Sequence, residues 1–354
     1  MNCPGFFTLS VKSDNETVSQ KAASLCCGLC PRRCVLAAGK IGACRVRLNN
    51  AGEPALPFSG YITAIALDPI EKKPLYHFRP GTEILSVGFT GCNLHCPFCQ
   101  NWHISQNTDV PGRFCSPAEI IAESRLNDTG IKSIAYTYSE PLIHMEFLLD
   151  CMKEARKAGI ANVLVTNGCI NPEAAAEILD LTDAANIDLK CFSEETYANV
   201  LGGNLPAVLL FIRMAIERGV HVELTTLVVP SLNDSEEELD ACIDFIAGLG
   251  SGNAAGKPGV PWHLSAYHPG WKWKAPPTSP ELLALTAARA KKRLAFVYQG
   301  NVAGEKNDTL CPFCGKTLIS RRGYRVDTPG LLLKKGEAPA YFCASCGEKA
   351  PVKY

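Results

Sequence analysis

From Thr82 onward the chain alternates short β-rich runs with longer stretches whose apolar positions recur at helical spacing. Six runs read as strands: 83–89 (EILSVGF), 133–138 (SIAYTY), 162–167 (NVLVTN), 184–190 (AANIDLK), 220–228 (VHVELTTLV) and 262–267 (WHLSAY). The intervening helices have clear start signals. Ser116 and Glu119 form a capping box with Pro117 at the first helical position. Asn171-Pro172 repeats the cap-then-Pro order, Ser235 with Glu238 is another box, and Ser279-Pro280 opens a last helix. Strands alternating with helices predict an α/β fold with a parallel sheet and right-handed crossovers. A barrel or partial barrel and an open doubly wound sheet both fit. Either places functional residues at the C-terminal ends of the strands. Residues 1–20 are polar and irregular, and 21–80 are Pro/Gly-rich with little periodicity. After about Asp308 the α/β rhythm stops. The expected division is a cysteine-rich metal-binding region (1–80), a core domain (81–305) and a small C-terminal cysteine module (306–354).

The chain has 354 residues, and its 35 Lys+Arg balance 35 Asp+Glu. Zero formal charge argues against a dedicated binder of nucleic acid or anionic membrane, whose affinity rests on a basic excess. No apolar run approaches the ~18 residues needed to span a bilayer. The first residues lack a basic stretch followed by an apolar core, so a cytoplasmic protein is expected.

Cysteine changes this picture most, with 18 in the chain. Twelve fall in three groups: Cys26, Cys27, Cys30, Cys34 and Cys44; Cys92, Cys96 and Cys99; and Cys311, Cys314, Cys343 and Cys346. Close-set thiols in an unexported chain are more often metal ligands than disulfides, so about three metal sites are expected. The others, Cys3, Cys115, Cys151, Cys169, Cys191 and Cys242, are scattered and read as small apolar side chains.

Cys92, Cys96 and Cys99 follow the first predicted strand directly, with C-x3-C-x2-C spacing. Structural zinc wants four protein ligands, and no fourth Cys or His completes an obvious tetrahedron, although His95 and His103 are nearby. A four-iron cubane can be held by three thiolates, leaving one iron open. A zinc knuckle completed by a histidine or a distant cysteine is the alternative. Cys311-Pro-Phe-Cys314-Gly and Cys343-Ala-Ser-Cys346-Gly are two C-x2-C-Gly knuckles that together complete an all-sulfur tetrahedron. They predict a zinc ribbon, although rubredoxin-like iron would use the same geometry. Arg321, Arg322 and Arg325 are too little basic surface to make it a nucleic-acid binder, so a structural clip or partner dock is expected. Cys27, Cys30, Cys34 and Cys44 offer four more thiolates. Zinc and an auxiliary 4Fe–4S cluster suit them equally, and Cys26 competes with Cys27 as ligand.

The run Cys92-Asn93-Leu94-His95-Cys96-Pro97-Phe98-Cys99 resembles the radical S-adenosylmethionine (SAM) motif C-x3-C-x-aromatic-C. Its continuation QNW is similar to the branch containing pyruvate formate-lyase activating enzymes. More narrowly, LCPRRC, CNLHCPFCQNW, TYSEP, DLK, SAYHP, YQGN and CPFCG, in that order, resemble the radical SAM enzyme of the AmmeMemoRadiSam system. That resemblance implies a partial (βα)6 TIM-like barrel. It also implies a 4Fe–4S cluster that binds SAM at its open iron and cleaves it reductively to a 5′-deoxyadenosyl radical, which abstracts a substrate hydrogen. A low-potential donor of flavodoxin or ferredoxin type would supply the electron. AMMECR-type and Memo-type proteins would be companions.

The same resemblance assigns SAM-facing positions. Glu140, with Ser139, matches a turn that binds the SAM amino group, where the family usually has Gly-Gly in place of Tyr138-Ser139. Thr166 opens a Thr-Asn-Gly turn near SAM. Lys190 would meet the SAM carboxylate and Asp188 would orient it, while Phe98 and His268 would lie beside adenine and ribose. Plain alternatives exist: a helix cap at Ser139 and Glu140, a mutual ion pair between Asp188 and Lys190, a surface-loop histidine at His268, and shielding of the cluster by Phe98. No catalytic side chain is assigned. The favoured substrate is a small molecule or a modification target, because the extra metal modules exceed what a minimal activating enzyme carries. Abstraction from a glycine of a partner enzyme is the second reading. A non-catalytic electron carrier is the third, and it would not need six βα units.

Overall fold

The computed structural model describes residues 6–9, 24–109, 112–124, 131–249, 259–304, 306–334 and 339–354. Cys3 lies outside them. The central sheet has eight strands. They are β1 (Ala64–Pro69), β2 (Glu83–Gly88), β3 (Ser133–Thr137), β4 (Ala161–Thr166), β5 (Ala184–Asp188), β6 (His221–Val228), β7 (Trp262–Ala266) and β8 (Val297–Gly300). From β2 onward successive strands are joined through α1 (Pro117–Glu123), α2 (Met145–Lys157), α3 (Pro172–Leu179), α4 (Leu205–Glu217), α5 (Glu236–Ala247) and α6 (Pro280–Lys291). The predicted runs are β2 to β7. The structure adds β8, parallel to β7, and β1, antiparallel to β2 at the other edge.

Neighbouring strands follow chain order from β1 to β8 without reversal. A doubly wound sheet reverses its order at a switch point, so that alternative is set aside. Burial explains the arrangement. Leu85, Val87, Ile134, Tyr136, Leu164 and Ile187 pack with the helices in the main core. Their strand neighbours Ile84, Ala135, Val163 and Ala184 point the other way and pack on Ile70, Leu75 and Phe78. With both faces covered, the parallel strands carry nearly continuous apolar runs.

The start signals hold in part. Ser116 and Glu119 form the reciprocal capping box, and Ser235 and Ser279 cap their helices by accepting from Glu238 and Leu282 N–H. Asn171 and Glu238 work elsewhere. The Asn171 amide donates to the Gly28 carbonyl at 2.6 Å, and the Glu238 carboxylate accepts from Phe192 N–H. Each side chain fastens a distant loop instead of its own helix.

The strand starts close over a polar floor. Glu223 on β6 is fully buried and accepts from the backbone N–H of Tyr76 and His77 at 3.0 and 2.7 Å. Its oxygens also meet His221 Nε2 at 2.9 Å and His263 Nε2 at 2.7 Å. Burial opposes ionisation, but these imidazoles outweigh it and hold the carboxyl well below its ordinary range. Arg321 reaches this floor from the C-terminal module, donating to Tyr76 O (2.6 Å), Thr309 Oγ1 (2.8 Å) and Asn307 O (3.1 Å). The tail adds Lys353, whose N–H donates to His77 O at 2.7 Å and whose carbonyl accepts from Arg79 N–H at 2.9 Å.

Candidate active site at the strand C-termini

β2 delivers the chain to Gly91, whose φ is +82° and where a Cβ would stand 2.5 Å from the Cys44 carbonyl. Glycine is required there by backbone conformation and by close approach. The loop 92–99 then curls back on itself. Leu94 N–H donates to Cys92 Sγ at 3.3 Å, and Cys99 N–H to Cys96 O at 3.2 Å. Its outer side is gripped from three directions. His95 N–H donates to Leu201 O at 2.7 Å, Lys272 and Trp273 N–H both donate to Pro97 O at 3.0 Å, and Arg32 Nε donates to Asn93 O at 3.1 Å. Phe98 is buried in the main core.

The next two strand ends meet this loop. Glu140 lies just past β3 and is 1% exposed. Its Oε1 accepts from Thr166 Oγ1 at 2.7 Å and from Leu142 N–H at 3.0 Å, while Oε2 accepts from Asn167 N–H at 2.8 Å. It therefore caps the turn at Pro141 and ties β3 to β4 at once. Burial raises its carboxyl to about 7, against the pull of these donors. Beside it, Ser139 Oγ is buried without a hydrogen-bond partner. Asn167 Nδ2 reaches the cysteine loop, 2.9 Å from Asn93 Oδ1 and 3.6 Å from Cys92 Sγ.

Past β5, Lys190 Nζ pairs with Asp188 Oδ2 at 2.9 Å. Burial alone would lower the ammonium, yet Asp188 and the Cys96 sulfur hold it above its ordinary value. Burial pushes the Cys96 thiol up to about 12, and Lys190 opposes that. The structure thus brings Cys92, Cys96, Ser139, Glu140, Thr166, Asp188 and Lys190 to one rim. His268 stands further round it, exposed, with Nε2 3.1 Å from Asn301 O.

Asn93, Asn167 and Arg32 were not expected. All three lie inside motifs, Arg32 in LCPRRC, Asn93 in CNLHCPFCQNW and Asn167 in Thr-Asn-Gly, so their positions were visible but their bonding was not. Tyr138 explains how this chain departs from glycine. Its φ is +69°, and its ring turns down to the floor, where its hydroxyl donates to Asp68 Oδ2 at 2.6 Å and Lys73 Nζ sits 4.4 Å from the ring centroid.

The C-terminal knuckles also converge. Cys311 and Cys346 sulfurs are 3.7 Å apart, as are those of Cys314 and Cys343, and all four lie within 4.8 Å of one another. Ligands about 2.3 Å from one ion in a tetrahedron stand about 3.8 Å apart, so this quartet can bind a metal. In the N-terminal group Cys27, Cys30, Cys34 and Cys44 line one pocket. Cys26 projects from the other face of its strand, its thiol directed at Arg33 O.

The three-cysteine loop stands at the strand ends of a parallel sheet, and the model of the Radical SAM superfamily matches residues 86–245, which include it. The chain belongs to that superfamily and is a radical SAM enzyme, and the family uses a 4Fe–4S cluster and SAM. It is 37% identical to an uncharacterized protein of Methanocaldococcus jannaschii, over 92% of this chain and 95% of that one. It is 25% identical to the pyruvate formate-lyase 1-activating enzyme of Escherichia coli strain K12, over 55% of this chain and 79% of that enzyme. Among solved structures, a radical SAM methyltransferase from Sphaerobacter thermophilus aligns with a TM-score of 0.47 at 15% identity, covering 68% of this chain and 71% of that one. Among the described residues no single helix is long and apolar enough to cross a membrane.

Proposed function

We propose that this radical SAM enzyme holds its cluster on Cys92, Cys96 and Cys99 and its SAM over the rim formed by Ser139, Glu140, Thr166, Asp188 and Lys190, with Phe98 and His268 toward the adenosyl end. The observation that carries this reading is the hydrogen-bonded set at the strand ends, in which Glu140 and Thr166 are linked through Asn167 to Cys92. The residues fit the ligand. A carboxylate offers roughly four acceptor sites, and Glu140 spends three, leaving one for an ammonium. The partnerless Ser139 hydroxyl is a second acceptor. Lys190 supplies a cation for a carboxylate. When bound, the cluster supplies the electron that cleaves SAM, and the chain orients both and excludes water.

Hydrogen abstraction from a small molecule or modification target is the reaction this reading favours. Activation of a partner enzyme at a glycine is the second, supported by the similarity to a pyruvate formate-lyase activating enzyme. The order of motifs from LCPRRC to CPFCG supports assignment to the AmmeMemoRadiSam system, with AMMECR-type and Memo-type partners and a flavodoxin or ferredoxin as donor. In the same reading the core (81–305) is a partial (βα)6 barrel, the first 80 residues are a metal-binding region, and 306–354 is a zinc ribbon that clips the strand starts. Free thiols among the described residues suit the reducing cytoplasm.

Anaerobic reduction with SAM tests the cluster assignment. The parent should produce 5′-deoxyadenosine, and Cys92→Ala, Cys96→Ala and Cys99→Ala should each produce none, because two thiolates hold a cubane poorly. Parental turnover by any one of these variants would show that the cluster sits elsewhere.

A further inference from the structure

The chain carries two four-cysteine sets, and their spacings differ. The C-terminal thiols are drawn together to the edge length of a single-ion tetrahedron. Among the described residues no other three ligand atoms of Cys, His, Asp or Glu lie within 4.8 Å of one another. Cys27, Cys30, Cys34 and Cys44 are not gathered in that way, and neither are Cys92, Cys96 and Cys99, the loop in which the family carries a four-iron cluster.

We propose that Cys27, Cys30, Cys34 and Cys44 hold a second iron–sulfur cluster, ligated entirely by protein thiolates, against the wall of the SAM cluster loop. This rests on the reading above only for the occupant of that loop. Four thiolates suit a cubane as well as zinc; the cubane is favoured because these thiols are not gathered like the C-terminal four and the pocket they line keeps a buried cation whose Nε–H has no acceptor. Three further observations point into the same pocket. Leu29 and Ile143 line it, so burial would help hold the potential of a cluster low. Gly42 borders it, and a Cβ there would lie 3.8 Å from Cys44 Sγ and 3.9 Å from Cys34 Sγ, inside the room between the sulfurs. Arg47 lines it too, 1% exposed. One edge of its guanidinium pairs with Glu146 at 2.7 Å, while Nε is buried without any acceptor. Cluster sulfur would give that N–H an acceptor and that cation a second negative neighbour.

The two cysteine loops share a wall. Arg32, between Cys30 and Cys34, bonds the Asn93 carbonyl between Cys92 and Cys96. Asn171 bonds Gly28, and Gly91 lies against the Cys44 carbonyl. With every ligand position taken by protein, the second cluster has no open iron and does not bind SAM.

The test removes the SAM cluster first. The full chain carrying Cys92→Ala, Cys96→Ala and Cys99→Ala together is reconstituted anaerobically with iron and sulfide. It should retain about four irons, and its reduced EPR signal should not change when SAM is added. Adding Cys30→Ser and Cys34→Ser should bring iron to background. Should the multiple variant fail to fold, Cys30→Ser with Cys34→Ser in the parental chain gives the same answer: iron should fall by about half while a SAM-responsive signal stays. Zinc in place of iron in the triple variant, or undiminished iron in the double variant, would overturn the proposal. Failure of the radical SAM reading itself would be seen separately, as absence of SAM cleavage by the parent.

Discussion

Replacing Glu140 by Gln sets two effects of opposite sign against each other, and pH separates them. The glutamine amide keeps one oxygen, so it can still accept from Thr166 and Leu142, but its NH2 then faces the Asn167 N–H that Oε2 bonds at 2.8 Å. An unsatisfied buried N–H costs about 1–3 kcal/mol. Against this, burial raises the parental carboxyl from 4.5 to about 7. That elevation corresponds to about 3 kcal/mol of penalty on the folded carboxylate. Because the folded value lies above the unfolded one, the native state holds the extra proton between them. The parent therefore loses stability as pH rises from 4.5 to about 7, and above that the penalty is fully present. The variant has no such slope. It should be the less stable protein near pH 5 and equal to or more stable than the parent near pH 8. Anaerobic guanidinium unfolding of both chains at the two pH values reads this directly. A stability gap of the same sign and size at both would refute the account. At the higher pH the variant should also bind SAM roughly ten- to hundred-fold more weakly through loss of a charge-assisted bond.

Lys190→Met should weaken SAM binding by a similar factor while the iron–sulfur absorption matches the parent before SAM is added; a lowered melting temperature with intact SAM affinity would leave only the Asp188 ion pair. Cys314→Ser should lower metal at the C-terminal quartet by about one ion per chain and destabilise that module, since binding there is folding energy; elemental analysis checks it. Arg321→Met should cost about 3–5 kcal/mol, because Glu71, 4.0 Å from Arg321 Nε, would be left buried without its cation. Adding Glu71→Gln should recover part of that loss in denaturant melts.

The cysteine turns were legible because their members are close in sequence: C-x3-C-x2-C and the two C-x2-C-Gly knuckles each specify a local turn. Six strands were legible from apolar runs that parallel packing demands. β1 was not, since Ala64–Pro69 mixes exposed and buried positions and ends in Asp68-Pro69, as an edge strand permits. Nor was β8, only four residues of VYQG. At the site, the motif showed which strand ends carry polar groups but not how they bond. Arg32 to Asn93 spans 61 residues and Asn167 to Asn93 spans 74, separations at which no local pattern speaks. Cys26 and Cys27 face opposite sides of their strand, Cys27 toward the pocket and Cys26 toward the Arg33 carbonyl, a difference that needs the strand's orientation and not just its residues.

The grip of the C-terminal tail on the strand starts has a consequence for how the molecule opens. The Arg79 amide bonds the Lys353 carbonyl, and the Lys353 amide bonds the His77 carbonyl, so these protons are shielded by a module that follows them by some 270 residues. Native-state hydrogen exchange usually divides a protein into segments that open together, often contiguous in sequence. Here the bonds join the segment just before β2 to the C-terminal tail, so the two should open together. With a metal ion held by the C-terminal quartet, chelating it should speed exchange at Arg79 while amides around Glu140 keep their protection.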